Sequence, residues 1–100
     1  MYIYNVTVNI DEGSEQEWLS WMKKIHIPDV MKTGCFVDNQ VLRVLGVEDL
    51  GHTYSVQYRF REMGDIEKYQ KQFAAALQAE HREKFGSKAT AFRTLLQIVD

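Results

Sequence analysis

The sequence predicts an α+β fold with the element order β-α-β-β-α-β, and three observations carry that prediction. Tyr2 to Ile10 and Thr53 to Arg61 alternate apolar and polar residues with the two-residue period of half-buried strands. Two other stretches, from Ser14 to His26 and from Gly64 to Gly86, place their apolar residues on one helical face. Cys35 to Val47 and Thr90 to Val99 read as further strands. One hundred residues make one domain, 1–100, with a core of modest size.

Each element has its own warrant. In the first strand Tyr2, Tyr4, Val6, Val8 and Ile10 share one side, and Ile3, Asn5, Thr7 and Asn9 the other. Asp11-Glu12-Gly13 ends it, and Ser14 with Glu17 reads as a capping box opening a helix. Trp18, Met22 and Ile25 form its apolar face. Pro28 lacks an N–H and disfavours helical geometry at Ile27, so the helix is expected to kink or stop near His26. A short turn from Pro28 to Lys32 follows, closed by Gly34.

The strand from Cys35 to Val47 is weakly alternating at first and then nearly all apolar, and Glu48 to His52 is its connecting loop. In the next strand Tyr54, Val56, Tyr58 and Phe60 face one way, and Ser55, Gln57, Arg59 and Arg61 the other. The second helix opens at Gly64-Asp65, carries the stripe Ile66, Tyr69, Phe73, Leu77 and His81, and stops at Gly86. Pairing of sequential strands and right-handed crossovers make the split-βαβ, ferredoxin-like arrangement the simplest solution: a four-stranded antiparallel sheet with two helices on one face.

Two helices cover one face of such a sheet and leave the other open. The open sets are mixed, and the last strand is apolar on both sides. A second copy packed on that face is the expected remedy, giving a homodimer. Scattered apolar residues on an open face also occur without a partner.

Composition excludes several classes. The net charge is −2, from 12 basic and 14 acidic residues mixed along the chain, so no basic stripe meets nucleic acid. No apolar run is long enough to span a membrane. The single cysteine, Cys35, cannot form an internal disulfide, and the chain opens directly on a strand pattern, which points to a cytoplasmic location. The histidines lack metal-ligand spacing and no glycine-rich phosphate loop exists, so neither a metal nor a cofactor is expected.

Particular blocks carry a resemblance. Tyr4 to Val8, Trp18 to Met22, His26 to Met31 with Thr33-Gly34, Tyr54 to Tyr58, and Phe92-Arg93-Thr94 look like a small bacterial domain-of-unknown-function family, number 4286. That family in turn resembles the dimeric α+β barrels, in which two ferredoxin-like protomers pack sheet to sheet. The resemblance implies fold and dimer. It also brings a range of activities in that superfamily, among them cofactor-free monooxygenases, isomerases, haem-binding enzymes and ligand sensors, without choosing between them.

Five residues are candidates for a ligand site. His26 stands where Pro28 disturbs the helix; it suits acid–base work near neutral pH, or bonding of loose helix carbonyls. Arg93 lies mid-strand with no neighbouring charge until Asp100, which suits an anionic ligand, an internal ion pair or an edge-strand guard. Asn5, in a polar row with Thr7 and Asn9, and Gln57 with Ser55 and Arg59, would line a polar cavity between two sheets or a wet face. Trp21 lies off the helix stripe and suits an interface or a ligand. His81 reads as a half-buried structural histidine. The favoured function is binding of a small organic ligand by a homodimer. A cofactor-free monooxygenase or isomerase and a protein-interaction module are the alternatives, and enzymatic activity is left open.

Overall fold

A computed structural model describes residues 1–46 and 52–100. Among these, β1 (Tyr2–Ile10), β2 (Asp38–Arg43), β3 (His52–Phe60) and β4 (Ala89–Gln97) form one antiparallel sheet in the order β2-β3-β1-β4. The two outer strands of the sheet are thus β2 and β4. This is the ferredoxin-like topology the element order predicts. No helix among the described residues is long and apolar enough to cross a membrane.

Register sorts every side chain to a face. Tyr4 lies opposite Tyr58 and Leu95, and Val6 opposite Val56 and Arg93. Tyr2, Tyr4, Val6, Val8 and Ile10 therefore share one face with Tyr54, Val56, Tyr58 and Phe60, and the helices cover it. Asn5 lies opposite Gln57 and Thr94, and Thr7 opposite Ser55 and Phe92, on the open face. The alternation read from β1 and β3 predicts this division.

The helical layer differs from expectation in detail. Glu12–Ser14 is a 3-10 turn, and Ser14 makes no side-chain cap bond, so the Ser14–Glu17 box does not form. Helix α1 (Glu15–Trp21) does not stop near His26. It widens into a π-helical turn (Met22–His26) and continues as α2 (Ile27–Lys32), with helical dihedrals throughout. The Ile27 N–H bonds the Met22 carbonyl, five residues back. Pro28 follows in the first turn of α2, where a missing N–H costs little. The expected break is thus absorbed as a bulge rather than a stop.

The second helix is two. The capping residue of α3 (Met63–Gln72) is Glu62, whose box with Asp65 is complete, so the opening lies ahead of Gly64. The chain leaves helical geometry at Phe73 (φ −127°) and resumes as α4 (Ala74–Phe85), which Gly86 ends at φ 54°. The strand expected over Cys35 to Val47 is shorter. Cys35 and Phe36 are buried ahead of it, Asp38–Arg43 forms the strand with Val37 and Val44 bonded to β3 at its two ends, and Val47 with the loop from Glu48 to Gly51 lies outside the described residues.

Burial follows chemistry. The core gathers Trp18, Met22, Ile27, Val30, Ile66, Tyr69, Leu77 and Phe85 from the helices onto the aromatic face of β1 and β3. Coverage stops short of β4, where Phe92, Leu95 and Leu96 are exposed on both faces. Phe60 is fully buried, stacked on Tyr2 at 5.4 Å and edge-on to Phe36 at 6.2 Å. Phe60→Ala is expected to lower stability by about 3–5 kcal/mol, from lost transfer energy and the cavity left behind. Urea unfolding at pH 7 reads this; a loss below about 1 kcal/mol would contradict the packing.

Candidate functional site

A cleft lies between the helices and the sheet where coverage runs out toward β4. Its lining comes from every layer: Tyr4, Val6 and Val8 of β1, Met22 and His26 of the π-helical turn, Gln78 and His81 of α4, and Arg93 of β4. Its cavity volume is about 30 Å³. That is room for a small head group rather than a large ligand.

The π-helical turn creates half of this site. Trp21 and His26 are five residues apart, which on a regular α-helix would set them about 140° apart. The widened turn brings them to one side, with rings stacked at 5.1 Å. His81 joins them, its ring 6.0 Å from His26 and 5.9 Å from Trp21. Phe85 closes the group edge-on to Trp21 at 5.5 Å.

The hydrogen bonds fix protonation states. Trp18 is fully buried, and its indole N–H donates to Nε2 of His81 at 3.0 Å. An indole nitrogen can only donate, so His81 accepts there and carries its hydrogen on Nδ1. Its pKa is lowered by burial, then by Arg93 and Arg82. His26 is lowered further, to about 4, by burial first and then by His81, with Asp29 opposing and Arg93 assisting. Both rings are neutral near pH 7. The Nδ1 of His26 is buried without a hydrogen-bond partner among the described residues. Arg93 donates through Nε to the Tyr4 hydroxyl at 3.1 Å.

The open face is arranged differently. Asn5 donates to Thr7 at 3.0 Å and accepts from Ser55 at 2.5 Å. Gln57 donates to Ser55 at 3.2 Å and accepts from Gln40 at 3.2 Å. The result is a polar ribbon across β1, β3 and β2 whose groups bond one another. Beside it lies a hollow of about 420 Å³ between Ile3, Gln40, Gln57, Arg59 and Ile98.

The structure thus brings three of the five candidates together and separates two. His26 and Arg93 line the cleft, and Trp21 stacks on His26 beside it. Asn5 and Gln57 lie on the opposite side of the sheet. His81, taken from the sequence as a structural histidine, stands between His26 and Trp18. Its place on the α4 stripe was the available signal. Tyr4 was read only as core, and nothing in its alternation distinguishes its hydroxyl. Cys35 is buried away from the cleft lining.

Comparison with known proteins agrees with this architecture. Solved structures of the same ferredoxin-like class superpose over nearly the whole chain. One, described as a dimeric ferredoxin-like protein from an uncultured marine organism, has a TM-score of 0.71 at 9% identity, covering 99% of this chain and 95% of that one. HapK from Hahella chejuensis has a TM-score of 0.70 at 12% identity, covering 100% and 95%. An ethyl tert-butyl ether d (ethd) family protein from Bacillus halodurans has a TM-score of 0.66 at 13% identity, covering 94% and 97%. The chain itself belongs to the family described as Domain of unknown function (DUF4286), whose profile matches residues 1–99. A comparison with curated proteins finds no match.

The buried histidine has a measurable consequence. The pKa of His26 falls from 6.5 to about 4 on folding, so on acidification the unfolded chain takes up this proton first. The stability that comes from holding His26 neutral is full above about pH 6.5. It is lost as pH falls toward about 4, by on the order of 3 kcal/mol. His26→Phe keeps a ring over Trp21 and has no proton to gain. Urea unfolding at pH 7 and pH 4.5 is expected to show a smaller acid loss in His26→Phe than in the wild type. Equal losses would show that His26 does not titrate as its burial requires.

Proposed function

We propose that the protein is a homodimer that binds a small organic ligand in the cleft between the π-helical turn, α4 and β4. The convergence of His26, His81 and Arg93 there, with Trp21 stacked on His26 and a buried nitrogen left without a partner, carries this reading. Core packing alone explains aromatic neighbours but not an unbonded imidazole nitrogen beside a guanidinium. The assembly is supported by β4, which presents Phe92, Leu96 and Ile98 to solvent on the open face, and by similar structures described as dimeric. A second copy laid over that face would bury these side chains and enclose the polar ribbon.

A cofactor-free monooxygenase or isomerase is the second reading, favoured by the unbonded Nδ1 of His26 in the cleft. Burial makes this imidazole a weak base in the empty protein, so proton removal from an enolisable substrate would need the substrate's developing negative charge to stabilise the imidazolium.

Native mass spectrometry of the untagged protein is expected to show a dimer, and Phe92→Asp to shift it toward monomer. A monomeric wild type would overturn the assembly and leave the open face for a different protein. A panel of small metabolites is expected to contain a ligand that raises the melting temperature. Saturation at a hundred times Kd contributes about 2.7 kcal/mol, a shift of roughly 10–20 °C in a domain of this size. No shift across a broad panel would count against the ligand site.

A further inference from the structure

We propose that the ligand of this cleft is a small organic carboxylate, its head group held by Arg93 with Tyr4 and His81 as flanking hydrogen-bond donors. This rests on the cleft being the ligand site and names the class of ligand it takes.

Charge is the first ground. Arg93 has no carboxylate within ion-pair reach among the described residues. The ion pairs among the described residues lie elsewhere, at Glu15 with Arg43 and His52, at Asp38 with Arg59, and at Glu17 with Lys84. No Asp or Glu lines the cleft. A guanidinium at a concave site without a counter-charge selects an anion and rejects a cation.

Geometry of the donors is the second. The Nε–H of Arg93 is engaged by Tyr4, which leaves its two terminal nitrogens with no bond to a described residue. Tyr4 accepts that bond and keeps its own hydrogen for an outside acceptor. His81 accepts from Trp18 at Nε2, so it offers an Nδ1–H. The available set is therefore rich in donors, and a carboxylate is an acceptor only. The unmatched Nδ1 of His26 adds one more site, as an acceptor in one tautomer and a donor in the other.

Size and polarity select among anions. The cleft has room for the head group alone, so the body of the ligand lies at its mouth, and Val6, Val8, Met22 and Val56 form an apolar floor beneath the head. One cation and an apolar floor do not compensate a dianion such as phosphate, whereas a carboxylate carries a single charge and matches a planar fork.

The test uses benzoate, neutral benzamide and inorganic phosphate as probes against the ¹⁵N-labelled full chain, followed by NMR. Benzoate is expected to move the indole N–H signals of Trp18 and Trp21 and the imidazole signals of His26. Benzamide is expected to bind about tenfold more weakly and phosphate to leave these signals in place. Arg93→Gln, at an exposed edge position, is expected to weaken benzoate by about tenfold or more, and Arg93→Lys by less. Benzamide binding as tightly as benzoate would overturn the carboxylate assignment while leaving the cleft a ligand site. Phosphate acting like benzoate, or Arg93→Gln binding benzoate unchanged, would also overturn it. Failure of all three probes to move any of these signals would overturn it too; the metabolite panel then decides separately whether the cleft binds anything.

Discussion

A fully buried indole N–H has to be bonded, and the rest of the helical layer is arranged around the bond it makes. Trp18 lies under α1 against the ring of Tyr54 at 5.2 Å, where no water reaches it. Left unpaired there, the N–H would cost on the order of 1–3 kcal/mol. His81 supplies the acceptor from α4, so the first and last helices are joined through one hydrogen bond. Lys84 and Glu17 join them again nearer solvent at 3.4 Å, an exposed pair of small energetic weight. The structural bond at Nε2 of His81 also decides its other nitrogen. A contact needed for packing thus sets the donor pattern of the cleft.

The π-helical turn is the second device, and it follows from the same economy of backbone bonds. Proline two residues past His26 removes one N–H from the ladder. A regular helix would leave a carbonyl unmatched in the protein interior. Widening the preceding turn lets Ile27 reach back to Met22 and shifts the phase of every later residue. His26 is carried inward, where burial strips its hydration and holds it neutral, while Ile27 and Val30 keep the apolar face in contact with the core. The displaced histidine is thus the by-product of keeping the helix continuous, and it delivers a neutral imidazole to the cleft beside β4.

The sheet was legible in the sequence and the helical layer only partly so. Period-two alternation is insensitive to tertiary context when one face is buried, which is why Tyr2 to Ile10 and His52 to Phe60 pair in the register their apolar sets require. Helical phase is more fragile. Ile25 reads as part of the buried stripe only if spacing is regular across Met22 to His26; the wider turn leaves it 48% exposed and brings His26 in beside Trp21. Pro28 signalled a disturbance but not its form, since a stop, a kink and a bulge all satisfy a missing N–H. The break at Phe73 left no mark, because Phe73 sits on the same stripe as Tyr69 and Leu77. Arg93 and His26 could be singled out as residues in unusual company. Their proximity could not be read, because 67 positions separate them, spanning α2, β2, β3, α3 and α4.

The two faces of the sheet divide the work according to how completely their polar groups are bonded. On the open face, Asn5 sits 8% exposed in a monomer yet has partners on both sides, and Ser55 and Gln57 continue the ribbon to Gln40. Groups that bond one another in this way tolerate burial beneath another sheet, because covering them strands few donors or acceptors. The cleft face is the converse. There a guanidinium has no counter-charge, a hydroxyl hydrogen has no described acceptor, and an imidazole nitrogen is buried unbonded. The buried imidazole nitrogen left unbonded lowers stability in the empty protein, and a ligand that completes the set recovers that difference as affinity. The polarity of Asn5 and Gln57 is therefore better matched to assembly, and that of His26 and Arg93 to recognition, although the sequence presents all four as equivalent polar intrusions into apolar strands and helices.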